Sequence, residues 1–164
     1  MKQSNSNRGM YIEKLVDNSA FYYFERNILL IEKKQVPFFF SKTSKNNITG
    51  SIKKSTTDYY GVYKGFYFDF EVKQTSNNFL LINQIKEHQM NYLKNVSKFG
   101  AISFLLIHFF MEDKIFAIKI NDLINICKKS KRITLEYCRK NCQEARVIFP
   151  GVIDFEILIK NIIK

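Results

Sequence analysis

The chain has 164 residues, 46% of them hydrophobic and 15% aromatic, which is enough to fill the core of one ordinary domain and excludes a disordered or fibrous class. Against 15 Asp and Glu stand 26 Lys and Arg, a formal net charge of +11 that implies a polyanionic partner, nucleic acid above all. Cys127, Cys138 and Cys142 are an odd set with no histidine at zinc-ligand spacing, which argues against a disulfide framework and a zinc site and suits thiols of a reducing cytoplasm. No apolar signal core precedes Asn7, and the longest apolar run, 99–110, is too short to cross a bilayer, so a cytoplasmic protein with no membrane partner is expected.

Asn7-Arg8-Gly9-Met10 leads into an amphipathic pattern, with Ile12, Leu15, Val16, Tyr22 and Tyr23 on its apolar positions, that predicts a helix to about Arg26. Glu13 falls in the opening turn, where a carboxylate favours the helix dipole. Arg8 has the means to meet a phosphate, because Arg-Gly at a helix start offers backbone NH groups as well as a guanidinium; a plain surface arginine is the alternative. Residues 28–32 read as a buried strand. From 33 to 54 the character changes. Lys33, Lys34, Lys42, Lys45, Lys53 and Lys54 surround Phe38-Phe39-Phe40 and a Ser/Thr/Asn tract, a basic loop able to grip a DNA backbone or wedge into an opening.

The centre of the chain is a predicted β-hairpin over 56–73. Lys64-Gly65 makes its two-residue turn, and from Phe66 the alternation is strict. Phe66, Phe68, Phe70 and Val72 point to the core, and Tyr67, Asp69, Glu71 and Lys73 to the other face. This register sets Asp58 opposite Glu71 and Thr56 opposite Lys73, with Cβ atoms about 4.5–5.5 Å apart. Two carboxylates so placed repel unless a cation lies between them. Asp58, then Glu71-x-Lys73, is what divalent-ion phosphodiester hydrolysis needs: hard oxygens for an ion that keeps its waters, and an ammonium to serve the attacking water and the charged transition state. A surface hairpin with a Glu/Lys pair is the bland alternative.

Residues 74–78 read as a loop and 81–96 as a second helix that turns the Gln89 amide inward with Ile82 and Ile85, and His88 outward. Two more strands are expected at 100–109 and 114–120, then a short helix capped by Asn121-Asp122 and reaching Lys129. A basic, irregular stretch, 128–146, precedes a closing helix, 154–163, with Ile157, Leu158, Ile162 and Ile163 apolar.

Thr56-Thr57-Asp58-Tyr59-x-Gly61-x-Tyr63-Lys64-Gly65-x-Tyr67-x-Asp69-Phe70-Glu71-x-Lys73, with Asn7-Arg8-Gly9-Met10 upstream and His88-Gln89 downstream, resembles the RecU-type Holliday junction resolvases of the PD-(D/E)xK nuclease superfamily. The similarity is dense from Asn7 to Gln89 and looser to Pro150. It implies an α/β fold: a central mixed β-sheet flanked by helices, a restriction-endonuclease-like core carrying a basic stalk at about 33–55 within a single nuclease domain over 1–164. It also implies a Mg²⁺-dependent endonuclease, Mn²⁺ able to substitute, that nicks and resolves four-way junctions in recombination and repair. The metal ligands match Thr56, Asp58, Glu71 and Gln89, and Lys73 is the catalytic cation beside Asp58 and Glu71. Glu13 and Asp69 are second-tier candidates, since in relatives an acidic residue of the first helix approaches the metal. DNA contacts fall to Arg8, Lys33, Lys34, Lys42, Lys45, Lys53 and Lys54. The expected partners are junction DNA, a second copy in a homodimer, and recombinase and branch-migration proteins. Both the stalk and the arm before Asn7 are shorter than the family's. The alternatives are a related nuclease with another DNA target and a noncatalytic DNA-binding subunit.

Overall fold

The structure, a computed structural model, describes residues 10–35, 38–42, 48–52 and 56–163; Arg8, Lys45, Lys53 and Lys54 lie outside the described residues. Helix α1 (Met10–Phe24) stops short of Arg26, because the chain turns at Asn27, whose φ of 53° is the left-handed conformation that asparagine tolerates. Strand β1 (Leu30–Lys33) follows. It is an edge strand in which Ile31 is buried while Glu32 and Lys33 face solvent, so the continuous burial expected from its Ile and Leu residues does not occur. The basic segment expected as a loop forms a two-stranded ribbon, β2 (Phe38–Lys42) and β3 (Ile48–Ile52), antiparallel from Phe38↔Ile52 to Lys42↔Ile48.

Strands β4 (Tyr59–Tyr63) and β5 (Phe66–Thr75) form the predicted hairpin in the predicted register, Tyr59↔Phe70 through Tyr63↔Phe66. Lys64 and Gly65 take φ of 49° and 85°, the two positive values that a tight primed turn requires. Phe66, expected in the core, is 49% exposed beside the turn.

The expected helix over 81–96 divides. Residues of β6 (Phe79–Leu81) pair with a strand at Arg132–Thr134, a 3-10 turn spans 82–84, and α2 (Glu87–Lys98) begins only afterwards. Ile82 therefore reaches the core from the 3-10 turn and Ile85 from the extended residue after it, neither from an α-helix, a case of strand pairing overriding a period that looked helical. Next come β7 (Ile102–Phe109), β8 (Lys114–Lys119) and α3 (Ile120–Lys129), the last starting without a side-chain cap from Asn121 or Asp122. The stretch read as irregular is ordered as β9 (Arg132–Thr134), α4 (Leu135–Asn141) and β10 (Gln143–Glu144). A small hairpin, β11 (Val147–Ile148) and β12 (Val152–Ile153), leads into α5 (Phe155–Ile163), where Asp154 Oδ1 accepts from the Ile157 amide at 3.1 Å. Ile157, expected on the apolar face, is exposed, and Leu158, Ile159 and Ile162 carry the burial.

Six strands make the central sheet in the order β1-β4-β5-β7-β8-β10, with β5 and β7 parallel and the other described neighbours antiparallel. It is a mixed sheet flanked by helices. On one face Phe68, Phe70, Val72, Phe104 and Leu106 pack under α1 and α5. Phe70 stacks on Phe104, centroids 4.9 Å apart, and on Tyr59 at 5.3 Å. Burying a ring of this size is worth roughly 1.5–3 kcal/mol, so this layer fixes how β5 presents its other side. On the second face Leu105, Ile107, Phe116 and Ile118 lie beneath α2, α3 and α4. There β5 contributes polar side chains.

Candidate active site

Since Phe68, Phe70 and Val72 are locked in one core, period-2 geometry sends Asp69, Glu71 and Lys73 beneath α2. Glu71 is fully buried. Its Oε1 accepts hydrogen bonds from the Gln89 amide nitrogen at 2.6 Å and from the Lys73 ammonium, whereas Oε2 is buried with no hydrogen-bond partner among the described residues. Burial first, and the neighbouring Asp58 carboxylate second, push the Glu71 carboxyl up to about 8 against the opposing pull of Lys73.

The β4 ladder ends at Tyr59, so Asp58 stands one residue beyond it. The Asp58 carbonyl accepts from the Lys34 amide at 2.8 Å and its Oδ2 accepts from the Val72 amide at 2.9 Å. These two bonds hold the carboxylate close enough to Glu71 to repel it. Register arithmetic thus brings Asp58 and Glu71 together, though with one Asp58 oxygen tied to backbone.

Gln89 sits in the first turn of α2, where its Oε1 accepts from the Lys86 amide at 3.0 Å. Its nitrogen meets Glu71, so in this arrangement Gln89 orients that carboxylate and its oxygen serves the helix cap. Thr56 is exposed at the rim, and its hydroxyl accepts from Lys34 Nζ at 3.3 Å. Lys34, expected to contact DNA, has a side chain only 13% exposed. Its ammonium lies 2.7 Å from Thr57 Oγ1, 2.5 Å from Asp69 Oδ2 and 4.1 Å from the Tyr92 ring centroid. Asp69 is completed by the hydroxyls of Thr57 and, at 2.9 Å, Tyr67, so this second-tier candidate forms a satisfied wall of the cleft. Glu13, the other, pairs with Lys33 at 2.7 Å on the outer side of α1. Tyr59 donates to Asp17 at 2.7 Å, which ties α1 to the start of β4 beside Asp58. Lys42 closes β2.

Sequence reasoning missed Thr57, Tyr67 and Tyr92. The signal for Tyr67 was present, since it shares the alternating face of Asp69; Tyr92 had none, because its contact with Lys34 spans two distant elements. Among the described residues no group of three or more His, Cys, Asp and Glu side chains could hold a metal. What the site offers is the Asp58 and Glu71 carboxylates, the latter with its Oε2 free, and the Thr56 hydroxyl, hard donors in a number that suits an ion retaining most of its waters.

The family model described as Recombination protein U matches residues 7–161. The chain belongs to the RecU family. It is 39% identical to the Holliday junction resolvase RecU of Ureaplasma parvum serovar 3 over 162 residues, covering 97% of this chain and 95% of that one. Identity to the Holliday junction resolvase RecU of Mycoplasmopsis pulmonis is 35% over 157 residues, covering 96% of each. Its fold is similar to that of Archaeoglobus fulgidus Hjc, a Holliday junction resolvase from an archaeal hyperthermophile, with a TM-score of 0.52 at 9% identity over 88% of this chain and 98% of that one. At that identity the likeness speaks for the nuclease fold, and the RecU relatives speak for the family.

Proposed function

We infer that this protein is a Holliday junction resolvase, an endonuclease that nicks four-way DNA junctions in recombination and repair. The observation that carries this reading is the Glu71 carboxylate, buried against Asp58, held by Lys73 and Gln89, and left with one free oxygen, in a chain of the RecU family. A buried, unsatisfied carboxylate facing a like charge is costly, and a divalent cation removes that cost. Mg²⁺ suits the oxygen set, with Mn²⁺ an acceptable substitute. Asp58 and Glu71 would hold it, with the Thr56 hydroxyl at the rim and Gln89 aligning Glu71. Bound there, the cation supplies Lewis acidity toward the phosphate and a water of lowered pKa.

The remaining chemistry belongs to side chains. Lys73, held on Glu71, orients the attacking water and meets the negative charge that grows on the phosphate. Lys34, bonded to Asp69 and both threonines, keeps the rim of the cleft in place. The segment 33–55 acts as the stalk of a single domain over 1–164, with Arg8, Lys42, Lys45, Lys53 and Lys54 on DNA phosphates and Lys33 at the base. A homodimer supplies the two nicks that a two-fold junction needs, recombinase and branch-migration proteins are its partners, and such a substrate places it in the cytoplasm.

Labelled four-way junction and linear duplex, incubated with Mg²⁺ and either wild type or Glu71→Gln, test the reading. Junction-selective nicking by wild type that falls about 10²–10³-fold in the variant, with junction binding retained, is expected. Equal cutting of linear duplex would mean another DNA target. Binding without any cutting would leave a noncatalytic subunit.

A further inference from the structure

The run Lys128-Lys129-Ser130-Lys131-Arg132 belongs to none of the roles assigned above. All four cations are exposed, and none has a carboxylate within ion-pair reach among the described residues. Nearby cations are matched: Arg139 to Glu112 at 3.0 Å and Lys140 to Glu136 at 2.8 Å. Nor is the run loose. Ser130 Oγ donates to the Arg132 carbonyl at 2.8 Å and accepts from its amide at 3.0 Å. The Lys131 carbonyl accepts from the Ile82 amide at 3.1 Å, Arg132 pairs with Leu81 across β6 and β9, and its guanidinium sits 4.7 Å over the Phe79 ring. Strand β6 is pinned in turn to the end of β5, where Thr75, two residues past Lys73, donates to the Phe79 carbonyl at 3.0 Å. The backbone at Ser130–Arg132 is therefore tied, through β9 and β6, to the strand that carries Glu71 and Lys73. These residues belong to the layer over β7 and β8, on the far side of β5 from the β1 edge where the β2–β3 ribbon leaves the sheet.

Four unpaired cations on an anchored backbone suit a rigid polyanion, since the backbone needs no further ordering and counterions are released when phosphates replace them. We propose that Lys128–Arg132 forms a second DNA-binding surface, which takes the backbone of a duplex arm leaving the cleft on the side opposite the ribbon. This rests on the junction-resolvase reading for its substrate but not for its readout, because it is measured by binding alone.

The test uses full-length wild type and two variants, Lys128→Ala/Lys129→Ala/Lys131→Ala and the same three positions changed to Gln; Arg132 is kept because it packs on Phe79. Affinity is measured by fluorescence anisotropy without Mg²⁺ over a range of salt, on junctions with long arms and with arms of only a few base pairs. On long arms the variants should bind about tenfold more weakly, with a salt slope shallower by about 2–3; on short arms they should match wild type. Unchanged affinity and slope on long arms, or an equal loss on short and long arms, overturns the proposal. A wild type that binds but never nicks with Mg²⁺ would sink the resolvase reading while leaving this comparison to stand or fall by itself.

Discussion

Glu71 faces two demands that conflict in the bare protein. It must be buried to be held by Gln89 and Lys73, and it must be ionised to hold a cation. Its carboxyl is pushed up to about 8, above the ordinary value of 4.5, by burial and by Asp58. A raised folded-state value means that the native state binds the extra proton between those limits. Stability from this group is therefore fully present below about pH 4.5 and lost as the pH rises through about 8. Without divalent cation, wild type should lose stability relative to Glu71→Gln by an amount on the order of a few kcal/mol across that interval, read as diverging urea midpoints at pH 5 and pH 8.5. Added Mg²⁺ should restore wild type at the higher pH and leave Glu71→Gln nearly unmoved. The residues behind this behaviour were legible in sequence, as Asp58 and Glu71 share a face by simple alternation. The role of Gln89 was not, because which amide atom faces Glu71 depends on the helix starting at Glu87, a boundary set by the pairing of β6 with β9.

The β4–β5 hairpin was legible in its turn and in its register from Tyr59↔Phe70 to Tyr63↔Phe66, since a two-residue turn leaves no freedom in the pairing once Gly65 is placed; the pairs expected beyond it, Asp58 with Glu71 and Thr56 with Lys73, fall past the end of the ladder. What a pattern of alternation does not contain is the third strand. At Gly61 a side chain would start 2.2 Å from the Leu30 carbonyl of β1 and 2.3 Å from the Phe68 ring, so the edge strand can close on β4 only over a glycine. Gly61→Ala should cost about 3 kcal/mol, seen as a lower urea midpoint, and should loosen the seam where β1 delivers Lys34 to Asp69. The basic segment 33–55 answers to a different measurement. Lys53→Ala with Lys54→Ala should weaken junction binding and flatten its salt slope by about 2; slopes identical to wild type would remove these lysines from the interface.

The molecule as a whole carries far more positive charge than its ion pairs absorb, and that surplus was plain from composition alone. Where it gathers was not, because the 128–132 run acquires its place from β9 pairing with β6, a contact made across some fifty residues. One chain contains one Asp58, Glu71 and Lys73 set, and the proposed homodimer would supply paired nicks from two copies in two-fold relation. Mixed dimers of wild type and Lys73→Ala, isolated with different tags, should nick one labelled strand and spare its opposite; efficient paired cutting by them would refute one active site per subunit. The segment between Lys34 and Asp58 leaves the sheet and returns to it at neighbouring points, with Lys33 paired to Tyr59 and the Lys34 amide 2.8 Å from the Asp58 carbonyl. A segment whose two ends meet can be lengthened, shortened or exchanged without moving either residue. Relatives can thus diverge in the branched shapes they grip while inheriting the same cutting chemistry, and a ribbon transplanted from one to another should carry its preference with it.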